Sequence, residues 1–166
     1  IPHLVSIGSS VVYPSRPWPQ KEKDADLSTI HPQYFMGARI KIVMEDLCKF
    51  YSDHCDSRFT IVRHSNIYGP YDKFDLRRGH VFAATIKKVL SAKDGEEIVI
   101  WGEGKEIRDF LYVSDLVDFI ETITTRDFGS RFNTLNVSSE RGIPVSYLVK
   151  KVVQASGNNI QIKYDP

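Results

Sequence analysis

The chain has 166 residues, which is the size of about one domain. Its 42% of hydrophobic residues can bury a core, and its net charge of +1 does not favour nucleic acid or an anionic membrane surface as a partner. No apolar run reaches the roughly 18 residues that a membrane-spanning helix needs. Cys48 and Cys55 form neither a zinc motif nor a disulfide framework, so we expect a reducing, cytoplasmic location.

Apolar residues alternate along the chain between strand-like runs and helix-like stripes. Strands are predicted at His3–Ile7, 59–62, Glu97–Trp101, 110–113, Phe132–Val137 and 160–164. Helices are predicted around the stripes that contain Ile40, Phe82, Leu116 and Val145. Ser114 is the predicted N-terminal cap of the third helix, and Pro144 marks the predicted start of the fourth. The proline-rich residues 14–32 predict a loop.

This alternation of strands and helices favours an α/β fold with a mostly parallel sheet. In such sheets, binding sites lie beyond the carboxyl ends of the strands. Polar residues follow three predicted strands, at Ser9 and Ser10, at Asn66, and at residues 138–139. They are therefore candidate site residues, although polar residues after a strand more often belong to an ordinary loop.

Three segments carry short motifs in a fixed order. Residues 8–14 read G-S-S-V-V-Y-P, residues 63–70 read R-x-x-N-x-Y-G-P, and residues 101–115 read W-G-x-G-x-x-x-R-x-F-x-x-V-x-D. Together they resemble the extended short-chain dehydrogenases/reductases that act on nucleotide sugars. Within that superfamily, residues 69–81 and 38–51 most resemble the GDP-L-fucose synthase type.

The resemblance implies the C-terminal part of a Rossmann-like, doubly wound parallel sheet, together with part of a small substrate-binding domain. Residues 1–75 and 109–140 are expected to belong to the Rossmann-like domain, and residues 76–108 and 141–166 to the substrate-binding domain. The G-x-x-G-x-x-G turn that cradles the dinucleotide phosphates does not occur in the sequence. We therefore expect that the N-terminal half, with the cofactor fingerprint, is absent from this chain.

Members of the superfamily use a serine at a strand end and a Tyr-x-x-x-Lys pair on a helix, and NADP or NAD carries the hydride. By position, Ser9 matches the serine and Lys41 the lysine, and both are expected to contact the cofactor as well. The alternatives are a capping serine and a solvated lysine. The tyrosine position holds Gly37, so Tyr34, seven residues before Lys41, is the candidate proton donor or an aromatic residue at the helix start.

His80 matches the histidine of the acid–base pair in fucose synthase-type epimerisation. The cysteine of that pair is replaced by Val11, which cannot exchange a proton, so the full two-site epimerisation is in doubt. The alternative role of His80 is a hydrogen-bonded residue at a helix start.

Four residues are expected to bind the substrate. Arg108 matches an arginine that binds the substrate diphosphate, because a planar guanidinium suits bidentate phosphate contact, and its alternative is a surface ion pair. Trp101 is expected to pack on the nucleotide, or else in the core. Asn66 is expected to meet cofactor or sugar, and Ser10 to contact the substrate.

We therefore expect an NAD(P)-dependent reductase or epimerase that acts on a nucleoside-diphosphate sugar, without a metal, nucleic acid or membrane partner. By resemblance it is expected to form a homodimer, and this fragment alone is expected to be inactive. One alternative is another chemistry on the same scaffold: a nucleotide-sugar 4-epimerase, dehydratase or decarboxylase. Another is a catalytically degenerate module that binds a sugar nucleotide.

Overall fold

The computed structural model describes residues 2–16, 18–30, 32–77 and 79–166, apart from the side chain of residue 29. The strands are β1 His3–Ile7, β2 Arg58–His64, β3 Asn66–Tyr68, β4 Glu97–Trp101, β5 Ile107–Tyr112, β6 Phe132–Val137, β7 Gly142–Pro144 and β8 Gln161–Asp165. The helices are α1 Phe35–His54, α2 Val81–Ser91, α3 Val113–Thr125 and α4 Val145–Ser156. The predicted α/β fold with parallel strands is confirmed, and none of the described helices is long and apolar enough to span a membrane.

The chain divides into two compact units. The first comprises Ile1–Ser65 and Ser114–Ser138, and the second comprises Asn66–Val113 and Ser139–Pro166. Strand β3 belongs to the second unit because it pairs with β5.

The first unit is built on a parallel sheet in the order β1–β2–β6. Its central strand β2 is buried along residues 59–63, as is typical of a strand covered on both faces, and its run of Thr60, Ile61 and Val62 suits a pleated, buried surface. Because all three strands run in one direction, their carboxyl ends lie at one edge of the sheet. The segment that begins at Gly8 follows β1 at that edge.

Helix α1 of the first unit has a narrow buried face and a wide exposed apolar face. Its buried residues are Ala38, Glu45, Cys48 and Ser52. The apolar stripe that predicted this helix instead faces outward, with Ile40 and Leu47 exposed by 59% and 46%. The stripe therefore identified the helix correctly but does not form its contact with the sheet.

The second unit contains two small sheets. One has the order β3–β5–β7, with β3 and β5 parallel and β5 and β7 antiparallel, and the other pairs β4 with β8 in parallel. Helix α4 begins after Pro144 as predicted, and its first amide donors are satisfied by the carbonyls of Glu106 and Gly104. Gly104 has φ of 72°, and a Cβ there would collide with the Tyr164 ring, so the turn requires glycine.

Two short strands and one helix cap differ from the predictions. Strands β3 and β7 were not predicted, because three-residue strands leave too short a pattern to detect. Ser114 lies inside α3, which already begins at Val113, and so is not its cap. The predicted loop at residues 14–32 contains short 3-10 turns, such as Glu22–Asp24 and Leu27–Thr29.

Candidate active site

In the first unit, the structure brings Lys41 to the carboxyl end of β1. The Lys41 ammonium donates a hydrogen bond of 2.7 Å to the carbonyl oxygen of Ile7, two residues before Ser9. An ammonium has three donors, so two remain for a ligand at the sheet edge. The lysine is half-buried and directed to the strand end, which is not the arrangement of a freely solvated surface lysine.

Gly8 and Ser9 form the turn that leaves β1. The Gly8 amide donates to the Val62 carbonyl at 2.8 Å, and a Cβ at Gly8 would lie 3.1 Å from that oxygen, so the backbones approach closely. The Ser9 hydroxyl caps the short turn Ser10–Val12 by accepting from the Val11 amide at 3.2 Å. It can still donate its own proton, so capping and binding of a sugar oxygen are compatible. Ser10 is exposed beside it.

Tyr34 lies immediately before α1 and is 53% exposed. Seven residues separate it from Lys41, which is about two helical turns, or roughly 10 Å along a helix axis. Gly37, four residues before Lys41, is exposed, and an added Cβ there would meet no atom within 4 Å. The Cβ atom of a tyrosine at position 37 would therefore not clash with any neighbouring atom.

A buried network lies beneath this sheet edge. Arg63 of β2 donates two hydrogen bonds to the Glu45 carboxylate, at 3.0 and 2.5 Å, and the two side chains are only 7% and 8% exposed. The same guanidinium donates to the Tyr13 hydroxyl at 2.9 Å and to the Glu22 carbonyl at 2.8 Å. The Tyr13 hydroxyl in turn donates to the Asn136 side-chain oxygen at 2.5 Å.

This network ties together α1, the turn after β1, the residue 14–32 segment and the end of β6. Burial raises the pKa of Tyr13, although its hydrogen bond to Arg63 opposes that shift. Burial lowers the pKa of Arg63, but its hydrogen bonds and charge interactions with Glu45 and Tyr13 together outweigh this and raise the pKa overall, so the guanidinium stays charged. Because Glu45 is one turn after Lys41, the ion pair fixes the helix that carries the lysine.

In the second unit, Asn66 begins β3 and is held against β5. Its side-chain amide donates to the Asp109 carbonyl at 2.9 Å. The neighbouring Arg108 is exposed, and the hydrogen bond of its guanidinium is to the carbonyl of Ile107 at 3.2 Å. Within the described residues Arg108 has no ion-pair partner, so its positive charge is available to a ligand.

Trp101 ends β4 and is 73% exposed, so it is not a core tryptophan. The Lys88 ammonium lies 5.3 Å from the centre of its ring and donates to the Val99 carbonyl at 2.6 Å. Burial lowers the pKa of Lys88. Lys88 lies seven residues after Val81 and is half-buried, so it is on the partly covered side of α2 and not on a fully solvated face.

His80 occupies the residue before α2, where its carbonyl accepts from the Ala84 amide at 2.9 Å. Its exposed imidazole makes no capping hydrogen bond to the helix. Among the described residues, no group of three or more His, Cys, Asp or Glu side chains is arranged to hold a metal ion.

Comparison with known proteins places the chain in a family. Residues 1–138 match the model of the NAD dependent epimerase/dehydratase family. The chain belongs to that family. It is 29% identical over 98% of its length to GDP-L-colitose synthase of Yersinia pseudotuberculosis, and 32% identical over 98% to GDP-L-fucose synthase of Sinorhizobium fredii. These alignments cover 54% and 52% of the relatives, so the chain spans about half the length of the family members it matches.

Solved structures support the same fold. The NADP-bound GDP-L-fucose synthetase of Naegleria fowleri superposes with a TM-score of 0.87 at 24% identity, over 99% of this chain and 54% of that one. The GDP-6-OMe-4-keto-L-xylo-heptose reductase of C. jejuni gives a TM-score of 0.84 at 19% identity, over 99% and 59%. The recognition of this family from three motifs is thereby confirmed, and the fold is that of one part of its members.

Proposed function

We propose that the full-length protein is an NAD(P)-dependent oxidoreductase that acts on a nucleoside-diphosphate sugar. The observation that carries the proposal is the Lys41 ammonium bound to the Ile7 carbonyl at the carboxyl end of β1, two residues before Ser9, in a chain of the epimerase/dehydratase family. The printed names of its relatives include GDP-L-fucose and GDP-L-colitose synthases. A reductase of a GDP-linked 4-keto sugar is therefore the specific activity we favour.

The residues of the first unit fit the nicotinamide half of the cofactor. Lys41 has two donors left for ribose hydroxyls at the carboxyl end of β1. NADPH, when bound, supplies the hydride. Ser9 would donate a hydrogen bond to the reacting sugar oxygen, and Asn66 of the second unit would contact cofactor or sugar.

The second unit carries groups that suit the nucleotide part of the substrate. The exposed Trp101 ring offers a surface on which a base can stack, and Lys88 beside it adds a positive charge. Arg108 would bind the diphosphate with its planar guanidinium. Ser10 would contact the substrate. The first unit would thus belong to the cofactor domain and the second to the substrate domain.

Proton transfer is assigned to Tyr34 and His80. Tyr34 would serve as the proton donor to the sugar oxygen from its place before α1, and His80 would exchange a proton at a sugar carbon or oxygen. Val11 stands at the second acid–base position of the fucose synthase pattern and cannot carry a proton. We therefore favour reduction over a complete two-site epimerisation.

The proposal is tested by NADPH consumption in the full-length protein supplied with a GDP-linked 4-keto sugar. Lys41→Met is expected to lower kcat about 10²–10³-fold and to weaken NADPH binding, because the hydrogen-bond donors of the Lys41 ammonium are lost. Lys49→Met, an exposed lysine on the same helix, is the control and should change neither value. Equal activity of the Lys41→Met variant and the wild type would contradict the assignment of Lys41.

One observation favours a second function. Gly37 occupies the position of the family's proton-donating tyrosine, so the protein could be a sugar-nucleotide-binding module without catalysis. In that case the full-length protein would bind a GDP-sugar but would not oxidise NADPH. Another chemistry on the same scaffold, such as 4-epimerisation, dehydration or decarboxylation, would instead convert the sugar without net consumption of NADPH.

We further propose a homodimer that pairs through the exposed face of α1. This face consists of Met36, Ile40, Val43, Met44, Leu47, Phe50 and Tyr51, which are all exposed. A continuous exposed apolar surface of this kind marks an interaction site.

The cytoplasmic location is proposed on the two thiols, since Cys48 and Cys55 are both free.

Leu47→Glu is expected to convert the dimer to a monomer, because it places a charge in the middle of the apolar α1 face. Analytical ultracentrifugation of the full-length protein measures the change. Leu90→Glu, the same substitution at an exposed leucine of α2, should leave the mass unaltered. A wild-type monomer would contradict the dimer and would indicate that another part of the same protein covers this face.

A further inference from the structure

The side chain of Asp109 organises the turn between β6 and β7. Its carboxylate accepts hydrogen bonds from the Ser139 amide at 2.9 Å, from the Ser139 hydroxyl at 2.8 Å and from the Arg141 amide at 3.1 Å. Asp109 follows Arg108 directly on β5. The residue next to the predicted diphosphate ligand therefore determines where Arg141 lies.

The turn that Asp109 holds contains a strained residue. Glu140 has φ of 59°, in the left-handed region that residues other than glycine rarely occupy. Such a conformation persists only when neighbouring bonds impose it, and strained residues cluster at functional positions. Here the bonds to Ser139 and Arg141 flank the strained residue on both sides, so the direction of the chain at Arg141 is fixed.

The β5–β7 register, extended by one residue to Arg141, puts this arginine on the same face as Arg108. Asp109 pairs with Gly142 and Arg108 with Ile143 in the antiparallel β5–β7 ladder. A Cβ at Gly142 would lie 2.6 Å from a methyl group of Ile107, so Gly142 is on the face of Ile107. Arg141 directly precedes β7, and continuing the alternation of faces by one residue puts it on the opposite face, diagonal to Arg108 at about 7–8 Å, a distance that long side chains can span.

Both guanidinium groups are exposed and have no acidic partner among the described residues. Two positive charges at this separation repel each other. An anionic ligand that bridges them would remove this repulsion. A diphosphate has two phosphoryl groups, each able to accept a bidentate pair of hydrogen bonds from one arginine.

We propose that Arg141 is a second diphosphate-binding residue, which with Arg108 forms a two-arginine clamp, and that Asp109 positions it. This inference rests on the proposed function, since the diphosphate is that of the nucleotide sugar. Asp109 itself does not touch the ligand. It acts on affinity only through the turn that it holds.

Calorimetric titration of the full-length protein with GDP and with GMP tests the clamp. Arg141→Gln is expected to weaken GDP binding about 10-fold or more and GMP binding less, because only the diphosphate spans both arginines. Lys150→Gln removes the same charge from an exposed position of α4 and is the matched control. Asp109→Asn should weaken GDP binding too, and combining it with Arg141→Gln should add nothing further.

Two results separate this inference from the function on which it rests. If the wild type binds NADPH and GDP, and Arg108→Gln weakens GDP binding while Arg141→Gln stays within about twofold, the clamp is wrong and the proposed function stands. If the wild type binds neither NADPH nor GDP, the proposed function itself fails. A loss of GDP affinity in Asp109→Asn that adds fully to that of Arg141→Gln would overturn the positioning role.

Discussion

Glu45→Ala is expected to lower the free energy of unfolding of the full-length protein by about 3–5 kcal/mol. The substitution leaves the Arg63 guanidinium buried without its carboxylate partner, and an uncompensated buried charge is strongly destabilising. Urea denaturation followed by circular dichroism measures the loss. Asp53→Ala breaks the exposed Lys49–Asp53 pair on the same helix and should cost less than about 1 kcal/mol.

The double variant Glu45→Leu with Arg63→Met distinguishes a lost charge partner from lost packing. Removing both charges should cost less than either single substitution, because no unpaired charge remains. It should not restore full stability, since Arg63 also donates to Tyr13 and to the Glu22 carbonyl. If Glu45→Ala proves as mild as Asp53→Ala, the ion pair does not fix α1 in the way described.

Gly37→Tyr is expected to raise the reductase kcat about 10²-fold or more if the native proton donor is poorly placed. The substitution creates a tyrosine four residues before Lys41, on the same face of α1, and a well-placed general acid contributes about 10²–10⁴-fold. Position 37 has open space around its Cβ, so the helix should accept the side chain. Steady-state assay of NADPH oxidation measures the gain.

Gly37→Phe is the matched control for that gain. Both aromatic residues should stabilise α1 by about 0.5 kcal/mol relative to glycine, but only tyrosine supplies a proton. A gain shared by both variants would mean that helix stability, not proton donation, limits the rate. Tyr34→Phe completes the test, because loss of activity there with no gain in Gly37→Tyr would establish Tyr34 as an adequate donor.

The fold could be predicted from the sequence wherever a periodic apolar pattern was long enough. Strands β1, β4 and β6 begin and end at the predicted residues, because each is a β-rich run closed by polar or glycine residues. Strands β3 and β7 have three residues each, and their pairing with β5 depends on tertiary contacts that no local pattern reveals.

The exposed side of α1 shows a second limit of prediction from sequence. A hydrophobic stripe predicts that a helix face is covered, but it does not say by what. The inner face of α1 carries Ala38, Glu45 and Ser52, which are small or polar and do not predict a buried face. Glu45 can be buried because it forms an ion pair with Arg63 of β2. Contacts between residues distant in sequence therefore decided which face meets the sheet.

Candidate site residues could likewise be predicted where they lie in a sequence motif, and not where only tertiary contacts reveal them. Ser9, Lys41 and Arg108 could be named because they fall within motifs, and their roles stay predictions. Lys88 and Arg141 could not, because neither lies in a motif. Their signals are spatial: a lysine on the partly covered side of α2 that meets Trp101, and an arginine in a turn held by Asp109.

Transfer of deuterium from the labelled cofactor to the sugar tests the proposed oxidoreductase most directly. The full-length protein is incubated with NADPH deuterated at the nicotinamide C4 and a GDP-linked 4-keto sugar, and the product is analysed by mass spectrometry. A GDP-sugar that carries one deuterium at C4, with the yield greatly reduced in Lys41→Met, is the expected result. Tight binding of both ligands by the folded protein with no deuterium in the sugar would contradict it.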